Sequence, residues 1–98
     1  MTIEKNAAGS VLTLKVIGRL DTTTAPQLEA EISSSIDGVK ELVLDFAALE
    51  YVSSAGLRVL LGAQKKMNVQ GSMKILNVNE SIMEVFEITG FVDILTIE

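Results

Sequence analysis

The 98-residue sequence contains no histidine, no cysteine and no tryptophan. Without histidine the chain has no base for a Ser-His-Asp or Cys-His nucleophile system. Without histidine or cysteine it has no ligand set for a structural zinc or an iron–sulfur cluster. The missing cysteines also exclude disulfides, which permits a reducing, cytoplasmic setting. Basic residues are scarce, 8 against 13 acidic ones, for a formal net charge of -5. Neutralising phosphates needs a basic stripe, and the densest basic cluster is Lys65-Lys66 with Arg58 before it. That cluster reads as a solvated helix face, so no direct contact with nucleic acid is expected. Long apolar runs are missing too: the stretch 57–63 is interrupted by Arg58 and falls well short of a membrane span. Met1-Thr2-Ile3-Glu4 places an acid early, with no long apolar core behind it, so neither a signal peptide nor membrane insertion is expected.

What is present is apolar: 48% of the residues, enough for the core of one small domain spanning 1–98. Leu12, Leu14, Val16 and Leu20 alternate with Thr13, Lys15 and Arg19, the period of a strand buried mainly on one face. The small residues 6–10 before it read as a turn, so Ile3 and its neighbours should pair antiparallel with this strand. Thr24 to Gln27 reads T-x-x-Q, a capping-box pattern, with the only proline, Pro26, where its missing N–H costs little. Leu28, Ile32 and Ile36 then mark the apolar stripe of a helix ended by Asp37-Gly38.

Leu42-Val43-Leu44-Asp45-Phe46 is nearly continuous in apolar character and reads as a central strand covered on both faces. Ser53 or Ser54 can cap a second helix carrying Leu57, Val59, Leu60, Leu61, Ala63 and Met67, closed by Gly71. Gly56 and Gly62 in it read as small packing residues. Met73, Ile75 and Leu76 supply a further strand. Ser81 to Glu84 reads S-x-x-E, a capping box for a last helix with Ile82, Val85, Phe86 and Ile88 that Gly90 stops. Phe91, Val92, Ile94, Leu95 and Ile97 are expected to return to the core. The order is strand, strand, helix, strand, helix, strand, helix and a short terminal segment. Right-handed crossovers then give an α/β domain with a mixed sheet: an N-terminal antiparallel hairpin followed by parallel strands, and three main helices.

The stretch Val52-Ser53-Ser54-Ala55-Gly56-Leu57 puts two hydroxyls at a loop-to-helix junction. One serine is explained by capping alone. The stretch resembles the phosphorylation motif of bacterial anti-sigma factor antagonists, small STAS domains that usually read Asp-Ser-Ser-Gly-Leu or Asp-Ser-Ala-Gly-Leu. The resemblance extends to Gly18-Arg19-Leu20-Asp21 with Thr24-Ala25-Pro26, to the strand 42–46, and to Val78-Asn79-Glu80-Ser81 and Ile88-Thr89-Gly90-Phe91 around the last helix. It covers essentially the whole chain.

Aligned on Gly56-Leu57, the family's phosphoacceptor falls on Ser54, with Ser53 as second choice and standing where the family usually has Asp. The resemblance implies a partner-switching role. The unmodified protein binds an anti-sigma factor, a serine kinase, and so releases a sigma factor. Phosphorylation by that kinase ends the association, and a serine phosphatase resets it. ATP and magnesium belong to the kinase, so this chain is implied to be no enzyme and to carry no cofactor or metal of its own. Asp21 aligns with an acidic residue that contributes to partner binding, although a turn role before Thr22 explains it equally. The partner-binding set implied is Asp21, Ser53, Ser54, Ala55, Gly56 and Leu57, with Tyr51 a further apolar candidate. Asp45, at a strand end, reads as a residue that satisfies local amides.

Rival readings fit less well. A receiver domain would place a phosphoacceptor at Asp45, but it needs an acidic pair after the first strand and a late lysine that are not present in order. Gly56 and Gly62 form neither a dinucleotide fingerprint nor a Walker motif, and no lysine stands in S-x-x-K spacing to Ser54. The alternative within the resemblance is a STAS domain that binds partners without being phosphorylated, as in transporter-associated or scaffold members.

Overall fold

The computed structural model describes residues 1–98. Strands β1 (Thr2–Ala8) and β2 (Val11–Leu20) form the expected hairpin, antiparallel with Ile3 opposite Val16 and Lys5 opposite Leu14. Helix α1 (Ala25–Ser35) leads to β3 (Glu41–Asp45), which pairs parallel to β2. Strand β4 (Leu49–Val52) precedes the long helix α2 (Ser54–Gln70). Strand β5 (Ser72–Leu76) lies parallel to β3, followed by α3 (Glu80–Thr89) and one 3-10 turn, Phe91–Asp93. The order across the sheet is β1-β2-β3-β5, with β4 pairing β2 beyond the end of β3. This is the expected mixed α/β sheet with three helices.

One strand escapes the sequence reading. β4 is only four residues long, Leu49-Glu50-Tyr51-Val52, with burial at its two ends and exposure between them. A period of two cannot declare itself over so short a run. It forms because β2 outruns β3: the parallel ladder with β3 stops at Lys15, the register shifts at Gly18, and β4 takes over against Arg19 and Leu20.

The core is a single cluster of 24 buried residues to which all three helices contribute. Leu12, Leu14 and Val16 of β2, Leu42 and Leu44 of β3, and Met73 and Ile75 of β5 all point into it. Val43 is buried yet lies outside that cluster. Its neighbours by register are Thr13 and Lys74, so the opposite face of the sheet carries polar side chains and no helix. The expectation that β3 is covered by helices on both faces is therefore corrected: flanking side chains bury Val43, and an antiparallel-edged sheet tolerates one wet face.

The helix ends bring further corrections. The Ser81 capping box does not form, because α3 begins two residues earlier: Asn79 accepts from Ile82 N–H at 2.9 Å and its amide donates to Leu49 carbonyl at 3.0 Å. The T-x-x-Q box at Thr24 is also absent: the Thr24 hydroxyl accepts from Asp21 N–H at 2.8 Å and donates to Arg19 carbonyl at 2.7 Å. Gln27 instead reaches Met1 carbonyl. The stops at Gly71 and Gly90 are as expected, Gly90 in the left-handed region at φ 80°. Of the terminal apolar residues only Leu95 is buried; Phe91 and Ile97 pack at the margin, while Val92 and Ile94 are exposed. Asp45 behaves as expected of a local anchor, accepting from Ala47 N–H at 2.9 Å and Asn77 Nδ2 at 3.0 Å. These bonds, that from Asn77 foremost, hold its carboxyl below the ordinary value.

Candidate functional site

The parallel pairing of β2 with β4 sets the site. Arg19 lies opposite Tyr51 and Leu20 opposite Val52, and Ser53 N–H continues the ladder by donating to Leu20 carbonyl at 2.8 Å. The segments leaving these two strand ends, Asp21 to Thr24 and Ser53 to Gly56, are thereby neighbours. Each leads into a helix, so the starts of α1 and α2 share one end of the sheet.

Two adjacent serines divide the work at the start of α2. Ser53 is in extended conformation (φ -96°, ψ 174°), and its hydroxyl oxygen accepts from Gly56 N–H at 3.2 Å. That is the capping role, and half-burial keeps the side chain in it. Ser54 is the first helical residue; it is exposed, and its hydroxyl makes no hydrogen bond to the rest of the chain. No acidic residue stands in the first turn of α2. The N–H groups at the start of a helix lack intrahelical partners, so a negative group placed on Ser54 meets a favourable field.

Gly56 is essential to the geometry. A Cβ there would lie 2.7 Å from Leu20 Cγ and 3.0 Å from Val52 Cγ2, so only glycine lets the first turn of α2 sit on the ends of β2 and β4. Leu57 is buried in the core cluster. Two expected contact residues, Gly56 and Leu57, are thus turned inward and fix the position of the serines; Ala55, half-buried, and Tyr51, 41% exposed, are the apolar groups that reach the surface. The packing explanation for Gly62 does not hold, since a Cβ there would meet nothing within 4 Å. It opens onto a shallow groove between α1 and α2.

Asp21 does the turn job weighed for it from sequence. Its Oδ1 accepts from Thr23 N–H at 3.0 Å and Thr24 N–H at 3.1 Å, forming the turn that starts α1. The Thr24 N–H bond foremost holds its carboxyl below the ordinary value, so it is ionised near neutrality. The same carboxylate remains partly exposed beside the Ser53-Ser54 turn, with Arg19 Nε at 3.9 Å from Oδ2. Arg19 in turn lies over the Tyr51 ring, 4.3 Å from its centroid. Sequence reasoning missed this Asp21–Arg19–Tyr51 chain, because it depends on the β2–β4 register and β4 was not foreseen. No group of three or more acidic side chains is placed to hold a metal ion, and no helix is long and apolar enough to cross a membrane.

Comparison with known proteins places this geometry in context. The family model described as the STAS domain matches residues 2–98. The protein BtrV of Bordetella bronchiseptica is 42% identical over 82 residues, covering 82% of this chain and 71% of BtrV. The anti-sigma-B factor antagonist of Staphylococcus aureus is 31% identical over 97 residues, 97% of this chain and 90% of that protein. The fold is that of the anti-sigma factor antagonist SpoIIAA of Bacillus, solved in its unphosphorylated form (TM-score 0.78, 21% identity, 99% of this chain and 87% of that one) and in its phosphorylated form (TM-score 0.77, 22% identity, 99% and 91%).

Proposed function

This chain belongs to the STAS domain family, and we propose that it is an anti-sigma factor antagonist switched by phosphorylation of Ser54. In its unmodified form it binds an anti-sigma factor that is also a serine kinase, and so frees a sigma factor. The observation that carries the reading is the division between the two serines. Ser53 is engaged as the helix cap, while Ser54 offers an exposed hydroxyl without an internal partner. The printed role of the S. aureus relative, and the existence of SpoIIAA in two phosphorylation states on the same fold, support it.

The physics of the switch follows from the site. A phosphoserine adds about -1.5 to -2 charges and three acceptor oxygens near neutrality. Within the domain that charge is accommodated, because it lies at a helix start with free N–H groups and no acidic residue in the first turn. Across an interface fitted to a neutral hydroxyl, and beside the ionised Asp21, the same charge must be desolvated or repelled. The fold therefore survives a modification that the complex does not. Asp21, Tyr51 and Ala55 supply contact surface; Ser53, Gly56 and Leu57 hold Ser54 in place. The kinase supplies ATP and magnesium, and a separate serine phosphatase removes the phosphoryl group.

The test is phosphosite mapping by mass spectrometry after incubation with the cognate kinase and ATP. One phosphoryl group is expected, on Ser54, and Ser54→Asp should weaken the complex about tenfold or more while the domain stays folded. No modification of the wild type, or undiminished modification of Ser54→Ala, overturns the assignment. Full partner binding by Ser54→Asp would favour an interaction domain that is not switched in this way.

A further inference from the structure

Arg58 stands one helical turn after Ser54, at i+4 on the same face of α2, and it is exposed. Side chains at this spacing are neighbours, and a guanidinium easily spans the gap to a group projecting from the preceding turn. The three ion pairs of the chain are Lys5–Glu31, Arg19–Asp21 and Lys74–Glu41, so Arg58 has no acidic partner within ion-pair distance. It is not for want of carboxylates nearby. Glu29 of α1 lines the same shallow groove as Arg58, together with Thr22, Ala25 and Pro26, and the two do not pair. Arg19, the other cation at this end, is held against Tyr51 and Asp21. The position beside the modification site that the resemblance assigns to Asp is Ser53, so the nearest fixed charge on α2 is positive.

We infer that Arg58 is the positioning residue for the phosphoryl group on Ser54, pairing with it within the domain and holding it in the dianionic form. The inference rests on Ser54 as the modified residue. Guanidinium matches two phosphate oxygens at once, a geometry a lysine ammonium does not offer. The other charged groups at this end are Asp21 and Arg19, paired with each other at the end of β2, and Glu29 of α1, which lines the same groove as Arg58; the two carboxylates oppose ionisation of the phosphoryl group, and Arg58 offsets them. In the unmodified protein Arg58 stays free, so the pair forms only in the phosphorylated state and stabilises that state alone.

The experiment installs phosphoserine at position 54 by genetic encoding in the full chain and follows its second ionisation by phosphorus NMR. Arg58→Gln should raise that pKa by about 0.15–0.4 unit, the size expected of an exposed charge pair at i, i+4. Arg58→Lys should restore part of the shift, and Lys65→Gln, which removes the same charge from a later turn of the helix, should leave it nearly unchanged. The difference should shrink in 1 M salt, where the screening length is about 3 Å. Equal titration of the Arg58→Gln and wild-type proteins, or an equal shift in Lys65→Gln, overturns the pairing. Because the phosphoserine is encoded, such a result leaves the kinase assignment standing, whereas failure of the kinase to modify Ser54 leaves the titration result standing.

Discussion

The starts of α2 and α3 look alike in sequence and differ in what they leave available. Both are capped by a polar residue in extended conformation, Ser53 accepting from Gly56 N–H at 3.2 Å and Asn79 accepting from Ile82 N–H at 2.9 Å. At α3 the cap is also a clamp, since Asn79 donates to Leu49 of β4, and the favourable negative charge is built in as Glu80. At α2 the cap makes no such cross-link, no acid follows it, and the next residue is an exposed serine. One helix start carries a permanent charge that stabilises the fold; the other leaves the same electrostatic place unfilled, which is what the proposed switch at Ser54 requires. A reversible switch needs the second arrangement, because a charge already present cannot signal.

The largest expected effect comes from the contact that seats α2. Gly56→Val drives a side chain into Leu20 and Val52 and should cost about 1–3 kcal/mol, read as a lower midpoint in urea denaturation. No comparable sensitivity is expected at Gly62, where a side chain meets open space and Gly62→Ala should be neutral or stabilising. If both glycines responded alike, the first turn of α2 would not be specially fitted.

The caps separate next. Asn79→Ala removes the cap and the bond to Leu49 and should cost about 1–2 kcal/mol; Ser53→Ala removes a cap alone and should cost about 1 kcal/mol. Ser54→Ala should stay within about 0.5 kcal/mol of the wild type, as for a surface residue without partners. A loss at Ser54 equal to that at Ser53 would mean that the hydroxyls share the capping role, and the division between them would fail.

The smallest effect tests the charges themselves. Glu80→Gln should destabilise the domain by about 0.3–1 kcal/mol, and Ser54→Asp should stabilise it by a similar amount, both weakening in high salt. Thermal denaturation at low and high salt reads this directly. If Ser54→Asp destabilised the isolated domain, loss of partner binding in that variant would reflect damage to the fold instead of a like-charge contact.

Much of this molecule is legible in the chain because its signals are local. The alternation of Leu12, Leu14 and Val16, the spacing of Leu28, Ile32 and Ile36, and the glycines at 71 and 90 each describe one element and survive into the structure. The failures occur where a local signal competes with a distant partner. Thr24 has the chemistry of a cap, but Asp21 takes its N–H and turns its hydroxyl back toward Arg19. Ser81 has the chemistry of a cap, but Asn79 can also reach Leu49, thirty residues away in the chain, and so wins the helix start. The same holds at the start of α2: the pair Ser53-Ser54 stands out by its motif, whereas the Arg19–Tyr51 stack does not, since nothing near either residue announces the other.

By itself the sequence determined the class of the domain, the strands and helices long enough to show a period, and the pair of serines at a helix start. Those follow from side-chain polarity and backbone preference over a few consecutive residues. Only the tertiary structure decided which serine is bound and which is free, that Gly56 and Leu57 face inward, that Asp21 lies beside the serines, and that one face of the sheet stays open. Each of these depends on the register between β2 and β4 and on how closely α2 approaches them. Such distances are set by residues far apart in the chain, and no run of neighbours encodes them.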